Sequence, residues 1–167
     1  MPQSESDNQL VDKLINLADD IDLQILSYAR HPSMEKSEKI LDARVEKSLL
    51  MAEKHPELKS NYEVCAARSQ KSKTFRVDKK HIEDIEQSTL EAITFAENQL
   101  QGNNFLLGNA YTLADVIWTV VLSRLDLLGY SMWLDKNSFP QIASYYLRMQ
   151  QRKSYTLAQV QNEWWDK

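Results

Sequence analysis

Apolar side chains return every three or four residues along most of this chain, the spacing that gathers them on one face of an α-helix. Leu10, Leu14, Leu17, Ala18, Ile21, Ile25 and Tyr28, with Val11 and Ile15 widening the stripe, predict one long helix from about Asn8 to Ala29. Pro32 ends it, because proline disfavours helical backbone in the residue before it. Ile40, Leu41, Val45, Leu49, Met51 and Ala52 mark a second helix that opens near Ser33 and stops at His55-Pro56. Leu58, Tyr62, Cys65 and Ala66 carry a further stripe towards Arg68, whereas the run SQKSKTFR, Ser69 to Arg76, has no period and reads as a loop or a frayed helix end. Asp78 caps the next helix, with Ile82, Ile85, Leu90, Ile93, Ala96 and Leu100 along it up to Gly102.

The stretch from Tyr111 to Gly129, YTLADVIWTVVLSRLDLLG, differs from these amphipathic segments. Its apolar residues leave little polar face, which predicts a helix surrounded by neighbours at the centre of an all-α bundle. Thr112 is placed to cap it, and Asp115 three residues later completes a capping box in its Asp form. Loss of either is expected to cost about 1 kcal/mol. Tyr111 and Val116 occupy the two positions of a hydrophobic staple, and Gly129 supplies the left-handed residue that ends helices. A membrane span needs ~20 apolar residues, and this run carries Asp115, Arg124 and Asp126. Upstream, GNNFLLGNA marks turns around an apolar plug of Phe105, Leu106 and Leu107, expected against the base of the central helix. Downstream lie an irregular stretch with Met132 and Trp133, a helix opened near Pro140, a short helix from Ser154 to Val160, and a tail holding Trp164 and Trp165.

Composition narrows the class. Three glycines and four prolines in 167 residues are few for an all-β fold with its many tight turns. That length suits one domain, with an ordered core at about residues 8–160, and no repeat or linker interrupts it. A net charge of −4 gives no electrostatic reason to expect nucleic acid. The lone Cys65 excludes an internal disulfide and fits a reducing compartment, and the polar start MPQSESDNQ has no secretory character. A soluble, cytoplasmic protein without a transmembrane segment is expected.

Candidate chemistry is sparse. Cys65 falls on a helical stripe and reads as a small buried residue. His31, His55 and His81 each lack a second His or Cys at ligand spacing, so no metal is expected. Asp115 is accounted for by capping, and Asp19, Asp20 and Asp22 by a solvated face. Lys71, Lys73, Arg76, Lys79 and Lys80 form a basic patch, read as a solvated loop or as a contact for a membrane surface or acidic partner.

The run FLLGNAYTLADVIWTVVLSRLDLLGY, followed by FPQIASYYLRMQQRKSYTLAQV, resembles the closing half of the helical C-terminal domain of cytosolic glutathione transferases. The charged stretch HPSMEKSEKILDARVEKSLLMAEKHPELKSNYEV looks most like the ganglioside-induced differentiation-associated proteins and a related reductive-dehalogenase-like branch. The resemblance implies a glutathione-transferase C-terminal-like bundle, with the thioredoxin-like domain that binds and activates glutathione expected to be missing from this chain. The domain then has no catalytic residue or cofactor of its own, and glutathione enters only with a thioredoxin-like partner domain. By the same resemblance Tyr28, Arg30, Trp133, Trp164 and Trp165 are candidates for a hydrophobic-substrate pocket. A homodimer through the first two helices is expected, because the apolar stripe of the first helix is wider than one neighbour can bury. Two other roles stay open: a stand-alone protein-interaction or scaffold module of the same fold, and a membrane-associated role, against which the lack of a transmembrane anchor counts.

Overall fold

The computed structural model describes residues 4–31 and 33–158, and the described chain is all-α. It forms two compact units, one comprising the residues up to Leu23 together with those from Ile85 onward, the other Gln24–Asp84.

Helix α1 spans Glu5–Asp19, its first turn closed by Ser4, whose hydroxyl accepts from the Asp7 amide at 3.1 Å. The single long helix predicted to Ala29 is in fact two, since α2 spans Leu23–Ala29. Between them the Asp20 amide closes α1 on Asn16 and the Leu23 amide donates to the Ile21 carbonyl at 2.7 Å. Asp19, Asp20 and Asp22 set three carboxylates where the α1 dipole ends negative, and aspartate competes for its own backbone. The apolar period runs through the break because Ile21 and Ile25 are both buried.

The first unit continues with α5 (Lys79–Gln99) from Ile85 onward, then α6 (Leu113–Leu127), α7 (Pro140–Gln150) and α8 (Lys153–Leu157). The sequence YTLADV opens α6 as expected: Thr112 and Asp115 close a reciprocal capping box, with the Thr112 amide donating to the Asp115 carboxylate at 2.7 Å. Gly129, at φ 81°, ends it. There the Gly129 amide donates to the Asp126 carbonyl and the Tyr130 amide to the Leu125 carbonyl, each at 3.0 Å, the paired bonds of a Schellman motif.

Helix α6 packs on α1, and the fully buried Trp118 indole donates to the Leu14 carbonyl at 2.9 Å. The plug upstream also holds. Leu106 is buried in a tight turn closed by the Phe105 amide on the Gly108 carbonyl, and its own amide donates to Asp115 Oδ1 at 3.0 Å. Sequence reasoning overstated the cover of α6, however. Leu113, Val116 and Val120 are 59, 43 and 49% exposed, an i, i+3, i+7 stripe that the described residues leave about half open. The Tyr111 ring meets Phe105 edge-on at 5.4 Å and carries the Arg152 guanidinium at 3.8 Å.

Proline at the first position of α7 leaves the next amides to be satisfied from outside the helix. Both are, because Gln141 and Ile142 donate to the two oxygens of Glu97 on α5, at 3.0 and 2.7 Å.

In the second unit, Ser33 caps α3 (Met34–Lys54), a 3-10 turn follows at Pro56–Leu58, and α4 spans Lys59–Phe75. The segment read as a loop or a frayed helix end, Ser69 to Arg76, is helical as far as Phe75. Its apolar period is interrupted because α3 and α4 bury Ser37, Ser69 and Ser72 beside Leu41, Ala52 and Ala66. Ion pairs add to these contacts. Lys73 meets Asp42 at 2.6 Å and Glu38 at 3.8 Å, and the buried Arg76 meets Glu38 at 3.3 Å. The supposed basic patch is largely neutralised in this way, with Lys80 paired to Asp84 and Lys71 lying over the Phe75 ring at 4.8 Å. Cys65 is exposed on α4, not buried. Asp78 caps α5 by accepting from the His81 amide at 3.1 Å. Among the described residues no helix is long and apolar enough to cross a membrane.

Two predictions follow from the start of α6. Thr112→Ala should cost about 1 kcal/mol, whereas Asp115→Ala, which strips buried amides and hydroxyls of their acceptor, should cost about 3 kcal/mol or more; equal denaturant midpoints for the two variants would refute this ranking. The second concerns Tyr145, whose hydroxyl donates to Asp115 Oδ1 at 3.1 Å. Burial, reinforced by that carboxylate, raises its pKa far above the ordinary tyrosine value. A raised folded-state pKa contributes stability that is whole below the unfolded value of about 10 and is lost as pH rises above it. Stability should accordingly fall with rising pH above about 10, and Tyr145→Phe should flatten that fall, as read from urea midpoints across an alkaline series.

Candidate functional site

In the first unit a hollow of about 620 Å³ is formed by the end of α6, the segment after it, and α7. Its apolar wall comes from Met132, Leu134, Ala143 and Leu147, and its polar lining from Asp126 and Tyr146 together with Ser131, Asp135, Lys136, Ser138 and Gln150. Ala143, Tyr146, Leu147 and Gln150 recur at i, i+3, i+4 and i+7, one stripe of α7 turned to this opening. The position of that stripe depends on Glu97, which anchors the first turn of α7, and on Tyr145, which anchors its middle to Asp115.

Hydrogen bonds run through the polar wall. Tyr146 donates to Asp126 Oδ2 at 3.2 Å and shares a bond with the Tyr155 hydroxyl at 3.2 Å, which in turn is 3.0 Å from Ser123 Oγ. Burial first, then the Tyr155 hydroxyl, push the Tyr146 phenol well above its ordinary pKa. It is therefore a neutral donor at physiological pH. The hollow joins a donor, a carboxylate and an apolar wall, an arrangement suited to holding a flat, mostly apolar molecule with a polar edge.

Of the residues assigned to a pocket from sequence, Trp133 lies nearest this hollow in the chain but is itself buried, stacked on Tyr130 with ring centroids 4.4 Å apart and planes 6° from parallel. Its neighbours Met132 and Leu134 line the opening instead. Tyr130 is fixed by donating to Glu86 at 2.6 Å, so the stack is a rigid backing. Tyr28 and Arg30 belong to the second unit. There Tyr28 is buried on α2 with the Arg44 guanidinium 5.8 Å from its ring centre, and burial, opposed by Arg44, raises its pKa. Arg30 is exposed just beyond α2. Trp164 and Trp165 fall outside the described residues.

Sequence reasoning missed Asp126, Tyr146 and Leu147 as pocket residues. The i, i+3, i+4, i+7 stripe of α7 was a usable signal, but Tyr146 and Leu147 were indistinguishable from core positions until α7 was placed. The three histidines are in separate settings: His31 Nδ1 accepts from the Ser33 amide at 3.0 Å, His55 is 3.4 Å from Glu57, and His81 packs on Phe75. Among the described residues no group of His, Cys, Asp or Glu could hold a metal ion.

Comparison with known proteins agrees with this architecture. Residues 79–148 match the family model of the glutathione S-transferase C-terminal domain. Over 164 residues the chain is 27% identical to the tetrachloro-p-hydroquinone reductive dehalogenase of Sphingobium chlorophenolicum, a match that covers 98% of this chain and 65% of that protein. This chain thus spans about two thirds of the length of the curated relative it matches. No solved structure matches it. The capped central helix, the plug before it and the proline-opened α7 all lie within or beside the matched segment, so the similarity to the glutathione S-transferase C-terminal domain falls on the elements that position the hollow.

Proposed function

We propose that this chain provides the hydrophobic-substrate wall of a glutathione-transferase-like protein and has no conjugating activity by itself. The observation that carries the reading is the hollow beside α7, whose apolar wall of Met132, Leu134, Ala143 and Leu147 faces the paired Tyr146 hydroxyl and Asp126 carboxylate. The relative named for tetrachloro-p-hydroquinone, a chlorinated ring with hydroxyl edges, supports a substrate of that class. An apolar wall would take the ring, and the Asp126 carboxylate would accept from a hydroxyl at its polar edge. Glutathione would be supplied by a thioredoxin-like domain joined to or associated with this one.

Pentachlorophenol titrated into the full chain is expected to bind saturably in the micromolar range by calorimetry. Leu147→Asp, a change at a half-exposed lining position, should weaken that binding at least tenfold without lowering the melting temperature. Equal affinity in the two proteins would remove the hollow as the site. Glutathione should give no saturable heat in the same range, and turnover of a chlorinated aromatic with glutathione above the blank would overturn the claim of inactivity.

A second reading, a module that binds itself or another protein, is favoured by one observation: the α6 stripe of Leu113, Val116 and Val120, which the described residues leave about half exposed. By contrast α1, expected to bear the excess apolar surface, holds Leu10, Ile15 and Leu17 half-buried and Val11, Leu14 and Ala18 buried. Should the chain dimerise, Val116→Glu together with Val120→Glu is expected to shift it to monomer in light scattering. A dimer that survives both changes would place the interface elsewhere, with the first two helices next to test.

A further inference from the structure

The second unit holds a recess of different character. About 340 Å³ in volume, it lies in the α3–α4 hairpin between two facing stripes: Arg44, Lys47, Ser48 and Met51 of α3, at i, i+3, i+4 and i+7, and Tyr62, Cys65, Arg68 and Ser69 of α4. Gln24 closes one side. Ser69 is buried and Tyr62 and Ser48 are half-buried, so the floor is set back from the surface. Three cations and three hydroxyl-bearing residues, Ser48, Tyr62 and Ser69, thus line an opening that no carboxylate lines among the described residues.

Elsewhere in the same hairpin cations are matched by acids. Lys73 meets Glu38 and Asp42, Arg76 meets Glu38, and Lys59 meets Glu63. Among the described residues Arg44, Lys47 and Arg68 are in no such ion pair, although the chain as a whole carries net charge −4. Arg44 lies over the Tyr28 ring, its guanidinium carbon 5.8 Å from the ring centre. Two guanidinium forks and an ammonium around a recess of this size match a small molecule with two or more anionic groups, because guanidinium binds carboxylate and phosphate oxygens in a bidentate fashion and the serine hydroxyls donate further bonds. The small volume and the set-back floor favour such a molecule over an acidic protein surface.

We propose that the α3–α4 recess binds a small polyanion of the phosphate or carboxylate type, independently of the hollow beside α7. Cys65 is the sole cysteine of the chain and lines the recess, so it reports on occupancy. The test uses the full chain and two disulfide reagents, the doubly anionic 5,5′-dithiobis(2-nitrobenzoate) and the neutral 4,4′-dithiodipyridine. Arg44→Gln combined with Arg68→Gln, both exposed positions, should slow the anionic reagent at least fivefold while changing the neutral one less than twofold, with the circular-dichroism melt unchanged. Millimolar pyrophosphate or citrate should protect Cys65 from both reagents. Protection by pyrophosphate alone would assign a phosphate ligand, and protection by citrate alone a carboxylate one. The proposal is overturned if neither anion protects, if sodium chloride at equal ionic strength protects as well, or if the double variant reacts with the anionic reagent at the wild-type rate.

Discussion

The fully buried carboxylate of Asp115 is the interaction on which the rest of the first unit depends. A carboxylate removed from water costs several kcal/mol unless its lone pairs are satisfied. Here they are, by the amides of Leu106 and Thr112, the hydroxyl of Thr112 and the hydroxyl of Tyr145. The partners come from the turn before α6, the first turn of α6 and the middle of α7. One side chain thereby joins three segments, and the N-terminal end of α6 adds a favourable dipole.

The same device recurs at lower stakes. Glu97 satisfies the amides that Pro140 leaves exposed at the start of α7, Glu86 receives the Tyr130 hydroxyl, and Trp118 spends its only donor on the Leu14 carbonyl. Apolar burial supplies the driving force of this unit, but polar anchors at helix ends decide where each helix lies. The functional hollow follows from them. Glu97 and Tyr145 set the rotation and height of α7, and with these the direction in which Ala143, Tyr146 and Leu147 face. The Tyr130–Trp133 stack sets the opposite wall by fixing the segment that carries Met132 and Leu134.

The second unit is built on other terms. Its hairpin seam buries serines and small residues and is closed by ion pairs around Lys73 and Arg76. A seam of small residues lets two helices approach closely without large side chains interdigitating. Farther along the same hairpin the facing stripes carry Arg44, Lys47 and Arg68, so a cationic recess stands beside the neutralised end.

Local chemistry was readable from the sequence alone: an all-α fold, the Thr112–Asp115 box, the Gly129 stop, the Ser33 and Asp78 caps, the Leu106 plug and the family resemblance. These features are encoded within a few residues of one another, so spacing is enough to reveal them. The break at Asp20–Asp22, the helicity of Ser69 to Phe75 and the exposure of Cys65 were not readable, because each depends on a partner distant in the chain or on competition between backbone and side chain. Burial of an apolar period is equally well served by a bent pair of helices as by a straight one. Only the tertiary structure decided that Asp115 accepts from α7 as well as from its own cap, that Val116 and Val120 face outward, and that Tyr146 and Asp126 share one wall of a hollow. Those outcomes rest on which helix lies against which, and a pattern of apolar positions states only that some neighbour is needed.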